Sequence, residues 1–593
     1  IHHLESALFK CRKHSLGMKA LVEEHSDFYP VLISWIKKEK PTKSQLALYK
    51  LKLCKKFKQR HIPTDIEIYL HADSEDASVI RSCLTTKPMR TGSGVSVVAT
   101  MTKPYKCPHG ACTFCPGGLG SSFGDVPMSY TGNEPSTMRG IRNEYDAYRI
   151  VFNRLEQYIV LGQNCDKVDQ IIMGGTFTGF PPKYRESYIY YSFKAYNDFS
   201  KLFFSSGKLD LVAFKKFFEL PGKVGDKERE AKVASKVLAL KSKDVKTLEE
   251  EQELNEKAAI RCIGLTIETK PDWGFASHGL ELLKQGVTRI ELGVQTIYDE
   301  VLLRTHRGHT VKDTLKSIAD LRDLGFKLNF HVMPGLPGKN GKVLSRAKDM
   351  ASLKAMFSDS GYMPDMIKIY PCMVMPGTPL VKDYEAGIYK PITTAQAASI
   401  IVDAYRFIPS WCRVMRVQRD IPTNVTEAGV DKTNLRQYVD KLADEKNVVL
   451  RDIRAREIGL GQVEGEPSIV VSSYEASGGT EYFISMEASD KILGFCRLRF
   501  VPRSLHPAIT LTSGMIRELH VYGSATAIGA AGENTQHKGV GRALMAEAEK
   551  IATSNGKDKM LVISGVGARE YYRKLGYSRE DCYMAKSLSS IQS

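Results

Sequence analysis

The chain has 593 residues, 42% of them hydrophobic and 25% charged. That length exceeds what one hydrophobic core fills, so at least two major domains are expected, and the composition is that of a soluble globular protein. The formal net charge of +17 favours a polyanionic partner, nucleic acid ahead of a membrane surface, with simple solubility as the plainer explanation.

No apolar run is long enough to span a bilayer, and no secretory signal is visible, so a cytoplasmic location without membrane attachment is expected. Of the 12 cysteines, only Cys107, Cys112 and Cys115 are tightly clustered. Such a cluster points to a metal site, not a disulfide framework.

Residues 1–85 are rich in lysine, among them Lys37, Lys38, Lys52, Lys55, Lys56 and Lys58, with Leu46, Leu48, Leu51 and Leu53 at helical spacing. The pattern predicts a small basic helical module, read either as a nucleic-acid contact surface or as an ordinary solvated helix face. From 86 to 400, apolar strands at 95–102, 170–174, 262–269, Arg289–Gln295, 327–333 and 366–371 alternate with helical stretches. This is the pattern of a parallel α/β fold, and six strands fit a partial (βα)6 barrel better than a closed eight-stranded one. Residues 222–257, dense in Lys, Glu and Asp, interrupt the rhythm as a solvent-facing helical insertion or a flexible loop. Residues 401–464 carry Arg413, Arg416, Arg419, Arg436, Arg451, Arg454 and Arg456 and read as a basic bridge to a last domain, 465–593.

The cysteine segment runs Lys106-Cys107-Pro108-His109-Gly110-Ala111-Cys112-Thr113-Phe114-Cys115-Pro116-Gly117-Gly118 and follows a predicted barrel strand. Three thiolates in one loop hold three irons of a 4Fe–4S cluster and leave the fourth open to a small chelating ligand. A zinc site completed by His109 or a distant cysteine is the alternative. At the next strand end stands Met173-Gly174-Gly175-Thr176-Phe177, where paired glycines let backbone approach a ligand closely. On these residues the segment resembles the radical-SAM superfamily, with four residues instead of three between the first two cysteines. The resemblance implies S-adenosylmethionine (SAM) at Gly174 and Gly175. Lys270 and Gln295, at further strand ends, are candidate SAM or substrate contacts, or ordinary strand caps.

Near the C-terminus, 515–521 reads as a strand, and Gln536-His537-Lys538-Gly539-Val540-Gly541-Arg542 opens an apolar-periodic helix. Free N–H groups at such a helix start suit a pyrophosphate. With the strand at 559–564 and Tyr571-Tyr572-Arg573-Lys574-Leu575-Gly576-Tyr577 downstream, the region resembles the GNAT acetyltransferase fold, in which two splayed parallel strands receive acetyl-pantetheine. Glu518 occupies a general-base position if its pKa is raised; otherwise it is a satisfied polar residue. Tyr571 or Tyr572 is a candidate partner of the thioester or CoA sulfur, with packing as the alternative.

In this order and with these motifs, the chain resembles the catalytic subunit of the Elongator complex and its single-chain archaeal and bacterial relatives. The resemblance implies carboxymethylation at C5 of uridine 34 in the tRNA anticodon loop. It implies acetyl-CoA contacts at Glu518, Leu519, His520, Val521, Gln536, His537 and Tyr572, a functional Lys167, and cluster ligands Cys107, Cys112 and Cys115. The expected reaction has a SAM-derived deoxyadenosyl radical take hydrogen from the acetyl methyl, and the resulting carbon add to a uridine flipped out at low cost from a single-stranded loop; oxidation then restores the ring and thioester hydrolysis leaves the carboxymethyl group. Basic residues of 1–85 and 413–456 would hold tRNA phosphates. A homo-oligomer or Elongator-like partner subunits are both compatible with the sequence. The competing readings are a protein-lysine acetyltransferase with a structural radical-SAM domain, and a tRNA-binding scaffold without turnover.

Overall fold

The computed structural model describes residues 27–86, 94–222, 225–458, 465–522 and 539–588. The chain divides into two compact units, the smaller comprising residues 1–86, 160–162 and 210–226, the larger the remainder. No helix of the described residues is long and apolar enough to cross a membrane.

The smaller unit is helical. Thr42 and Thr64 start the helices Lys43–Lys56 and Asp65–His71 with reciprocal capping boxes, which satisfy backbone N–H groups that a helix start otherwise leaves orphaned. The predicted leucine stripe splits: Leu46 and Leu53, seven residues apart, are buried, whereas Leu48 and Leu51 are exposed. Lys38, Lys52, Lys55, Lys56 and Lys58 remain exposed.

Two seven-stranded sheets form the larger unit. The first contains β1 (Ser96–Met101), β2 (Lys167–Met173), β3 (Arg261–Thr269), β4 (Arg289–Gln295), β5 (Lys327–Val332), β6 (Met366–Ile369) and β7 (Arg413–Arg416), in that order. Every neighbouring pair is parallel, so all loops after strands open at one end. Six strands fall where the sequence places them. The seventh comes from the segment read as a bridge, where a four-residue strand with an arginine at each end gives no apolar run to detect. Its arginines are largely engaged within the protein: Arg413 pairs with Glu457 at 2.7 Å and Tyr522 at 2.8 Å, and Arg416, Arg436 and Arg456 with Asp420, Asp440 and Glu487. That accounting reduces the share of the bridge available to phosphates.

The charged segment 222–257 contributes helices Lys227–Lys241 and Leu248–Lys257. The second is not purely solvent-facing. Glu251, Gln252, Asn255 and Glu256 are buried, and Glu256 takes Arg569 at 3.0 Å and Arg573 at 2.6 Å from the C-terminal domain.

The second sheet contains β8 (Ser468–Ala476), β9 (Gly479–Ala488), β10 (Lys491–Phe500), β11 (Ser513–Val521), β12 (Lys559–Val562), β13 (Ser578–Glu580) and β14 (Tyr583–Ser587), ordered β8-β9-β10-β11-β12-β14-β13. Helix Val540–Ser554 packs its Leu544, Met545, Ala548 and Ala552 on one face, against Ile484, Cys496, Leu498 and Ile516. The other face meets the N-terminal end of the barrel strands through charge. Arg497, Arg499 and Arg517 are at most 1% exposed. Arg517 Nη1 donates to Asp365 at 2.9 Å and to Phe326 O at 2.8 Å, and Arg499 Nε to Asp323 at 3.1 Å. The turn 565–567 closes on β3 so tightly that a Cβ at Gly565 would stand 2.0 Å from Ile263 O.

Candidate active site

The mouth of the barrel is built on the cysteine loop after β1. Cys107 Sγ lies 3.1 Å from His109 Nδ1 and 3.3 Å from Thr176 Oγ1; Cys112 Sγ lies 3.1 Å from His109 Nε2 and 3.4 Å from Arg307 Nη1; Cys115 Sγ lies 3.5 Å from Ser129 Oγ. Burial raises the thiol pKa values of Cys107 and Cys115 and lowers that of His109 to about 3, with Lys270 and Arg307 adding to the last. Arg419, from the bridge segment, donates to Ser129 O beside Cys115.

These residues fit an iron–sulfur cluster better than one metal ion. Among the described residues, only His506, Asp581 and Cys582 bring three ligand atoms within 4.8 Å of one another, so the three loop sulfurs do not converge on a single tetrahedral centre. They surround a wider volume flanked by the cations Lys270, Arg307 and Arg419, which suits an anionic cluster. The glycines keep this end open: a Cβ at Gly308 would meet His109 Cβ at 2.5 Å, and one at Gly179 would meet Pro108 at 2.7 Å.

Gly174 and Gly175 have φ of +132° and +98°, and a Cβ on Gly174 would stand 1.9 Å from Thr102 Oγ1. Only glycine is compatible with that approach. Their N–H groups donate to Glu268 at 3.3 and 3.4 Å, and Tyr130 Oη donates to the same carboxylate at 3.0 Å. Lys270 is buried, 3.2 Å from Asp272, its pKa lowered by burial. Gln295 is buried in left-handed backbone at φ +67°, its Oε1 without a partner among the described residues. Gly174, Gly175, Lys270 and Gln295 therefore all lie at strand ends of one mouth. Lys167 does not join them. As the first residue of β2 it stands at the opposite end of the barrel, in register with Arg261, and burial lowers its pKa.

In the C-terminal domain, Gly539 at φ +93° begins helix Val540–Ser554 without a side-chain cap, leaving the first N–H groups at Val540, Gly541 and Arg542 for a ligand. Gln536, His537 and Lys538 lie outside the described residues. β11 pairs in parallel with β12 only from Ser513↔Lys559 to Ile516↔Val562; Glu518, Leu519, His520 and Val521 line the notch beyond. The tyrosines separate. Tyr572 belongs to the core with Leu544 and Tyr577, while a Cβ at Gly541 would come within 2.6 Å of Tyr571 Oη. Tyr571 packs at the edge of the same core and reaches the helix start, while Tyr572 is buried within the core.

The condition attached to Glu518 is also unmet. It accepts from Arg497 Nε at 2.9 Å. Burial opposes its ionisation, but Lys327, Arg497 and His520 outweigh burial and hold the carboxyl below its ordinary range. A carboxylate so held is a poor proton acceptor at neutral pH. Burial lowers the His520 pKa to about 4. Sequence reasoning missed Tyr130, Glu268, Arg307 and Arg419 as mouth residues. Only Glu268, at the end of the strand predicted at 262–269, carried a signal.

The fold and its two sites define a radical-SAM barrel joined to a GNAT acetyltransferase domain. Family models agree: the radical SAM superfamily matches residues 233–350, the Radical_SAM C-terminal domain 364–445, and the acetyltransferase (GNAT) family 453–577. The chain is 41% identical over 538 residues to the tRNA uridine(34) acetyltransferase of Methanocaldococcus infernus, covering 89% of this chain and 92% of that one. It is 35% identical over 561 residues to Elongator complex protein 3 of Schizosaccharomyces pombe, covering 92% and 94%. The solved structure of the archaeal Methanocaldococcus infernus Elp3 with N-terminus deletion (1-46) aligns with a TM-score of 0.66 at 36% identity, over 84% of this chain and 99% of that one. The chain belongs to the family of tRNA uridine(34) acetyltransferases and Elongator complex protein 3.

Proposed function

We propose that this chain is a radical-SAM tRNA uridine(34) acetyltransferase that uses acetyl-CoA to form 5-carboxymethyluridine at the wobble position. The observation that carries the reading is the docking of β11, which lines the notch of the GNAT domain, on the floor of the barrel whose mouth holds the cysteine loop. Two separate activities would not require that interface.

Cys107, Cys112 and Cys115 would hold a 4Fe–4S cluster, and Gly174, Gly175, Lys270 and Gln295 would line SAM. When bound, the cluster and SAM supply a carbon radical able to take hydrogen from an unactivated methyl group. The chain's own residues do the rest. Gly539 and the N–H groups of Val540, Gly541 and Arg542 neutralise the pyrophosphate of acetyl-CoA. The notch at 518–521 directs the acetyl end to the barrel side. The exposed lysines of the smaller unit supply phosphate contacts for tRNA. A protein-lysine acetyltransferase is less well supported: Glu518 is ion-paired, and the face from which an amine would approach is covered by the barrel.

The test is anaerobic incubation of reconstituted protein with tRNA, SAM, acetyl-CoA and reductant, followed by nucleoside mass spectrometry. Carboxymethyluridine is expected from wild type and not from Cys112→Ala, which should still bind tRNA. Acetylated lysine peptides without modified nucleoside would overturn the reading.

A further inference from the structure

The barrel floor carries polar groups that have no partner among the described residues. Strand register sets Thr266, Arg289 and Lys327 side by side across β3, β4 and β5. Asp169 of β2 accepts from Arg289 Nη2 at 2.8 Å, and Gly264 makes room, since a Cβ there would stand 2.9 Å from Asp169 Oδ1. Thr266 Oγ1, Arg289 Nε and, one level up, Asn329 Oδ1 are buried with no partner among the described residues. The Lys327 ammonium makes no hydrogen bond or close ion pair there either; Glu518, Arg289 and Asp169 act on it only as nearby charges. An unsatisfied buried polar atom is costly, and several in one layer mark a place where a polar ligand completes the structure.

Facing this layer is the notch of the GNAT sheet. A bulge interrupts the β10–β11 register between Arg497 and Leu498, so Arg517 and Glu518 both turn toward the barrel. Arg517 is locked to Asp365 and Phe326 O. Glu518 is locked to Arg497, and it stands near Lys327 but too far for a direct pair. Lys327 thus lies near Glu518, beyond the last paired residues of β11 and β12.

We propose that Lys327 binds the acetyl group of acetyl-CoA, its ammonium donating to the thioester carbonyl oxygen, with Thr266 Oγ1 and Arg289 Nε completing a small polar pocket on the barrel side of the GNAT sheet. The assignment rests on the acetyl-CoA reading above and deepens it. The acetyl end would pass through the notch to the barrel floor, where Gly325 lies against Met515.

The experiment is calorimetric titration of the full chain with acetyl-CoA and, separately, with CoA. Lys327→Met should weaken acetyl-CoA about tenfold or more, the scale of one charge-assisted hydrogen bond, and leave CoA unchanged. In infrared spectra of acetyl-CoA carbon-13-labelled at the carbonyl, the bound band should shift to lower frequency on wild type and on Lys327→Arg, and not on Lys327→Met. Equal weakening of both ligands, or of neither, overturns the assignment. So does an unshifted carbonyl on wild type, a measurement that needs no variant to fold. A wild type that binds neither ligand overturns the acetyl-CoA reading itself.

Discussion

Asp365 is where the two catalytic domains are electrostatically joined, and its neutralisation tests that joint. The fully buried carboxylate accepts from Arg517 Nη1 and Leu328 N, each at 2.9 Å, and faces Arg497 Nη1 at 3.6 Å. Burial opposes its ionisation, yet Arg517 and Arg497 hold it well below the ordinary carboxylate range. Asp365→Asn keeps the shape and removes the charge, leaving Arg497 with Glu518 alone and Arg517 with Glu481 alone as buried counter-ions. Breaking one side of a buried pair costs about 3–5 kcal/mol, against a total stability of about 5–15 kcal/mol for a typical domain.

Urea unfolding at neutral pH, followed by calorimetry and by the fluorescence of Trp411, measures the effect. Trp411 reports on the joint directly, because it stacks on Tyr474 of β8 at 4.1 Å and its carbonyl accepts from Arg497 Nη2 at 2.8 Å. The depressed pKa also fixes the pH window. The stabilisation is fully present above the ordinary aspartate value and is lost as pH falls through the folded-state value, so wild type and variant converge only in strong acid. A difference below about 1 kcal/mol, the size of a surface ion pair, would refute the reasoning, as would a wild-type GNAT domain that melts separately from the barrel.

Two further outcomes follow from the mouth. Gly174→Ala should abolish SAM binding by calorimetry and lower the melting temperature, because its Cβ would stand 1.9 Å from Thr102 Oγ1 at a φ of +132°; normal SAM affinity would refute the tight approach. Asp349, whose Oδ2 accepts from Gly335 N at 3.0 Å, has its pKa raised by burial to about 7. Its favourable contribution is full below the ordinary aspartate value and is lost as pH rises through about 7. Asp349→Asn should therefore gain stability relative to wild type from pH 5 to pH 7 and level off above; melting temperatures without that trend would count against the buried carboxyl.

The amino-acid sequence by itself determined the parts that depend on local order. Six parallel strands were legible as apolar runs, the cysteine loop as three thiols within nine residues, and helix Val540–Ser554 as glycines before an apolar period. What was not legible depends on contacts between residues far apart in the chain. β7 is four residues with two arginines, and only its pairing with β6 makes it a strand. Glu518 looks like a candidate base until Arg497, 21 residues away, and Lys327 of the other domain are set beside it. The resemblance singles out Lys167 without saying where it lies, and because a β-strand carries its two ends apart, its place at the start of β2 puts it on the floor and not at the mouth. Tyr571 and Tyr572 are adjacent in sequence, but the turn of a helix sets one at the edge of the core beside the start of helix Val540–Ser554 and the other inside the core. Spacing names the chemical groups; only the folded sheets decide which of them share a site, because burial and charge act through space and not along the chain.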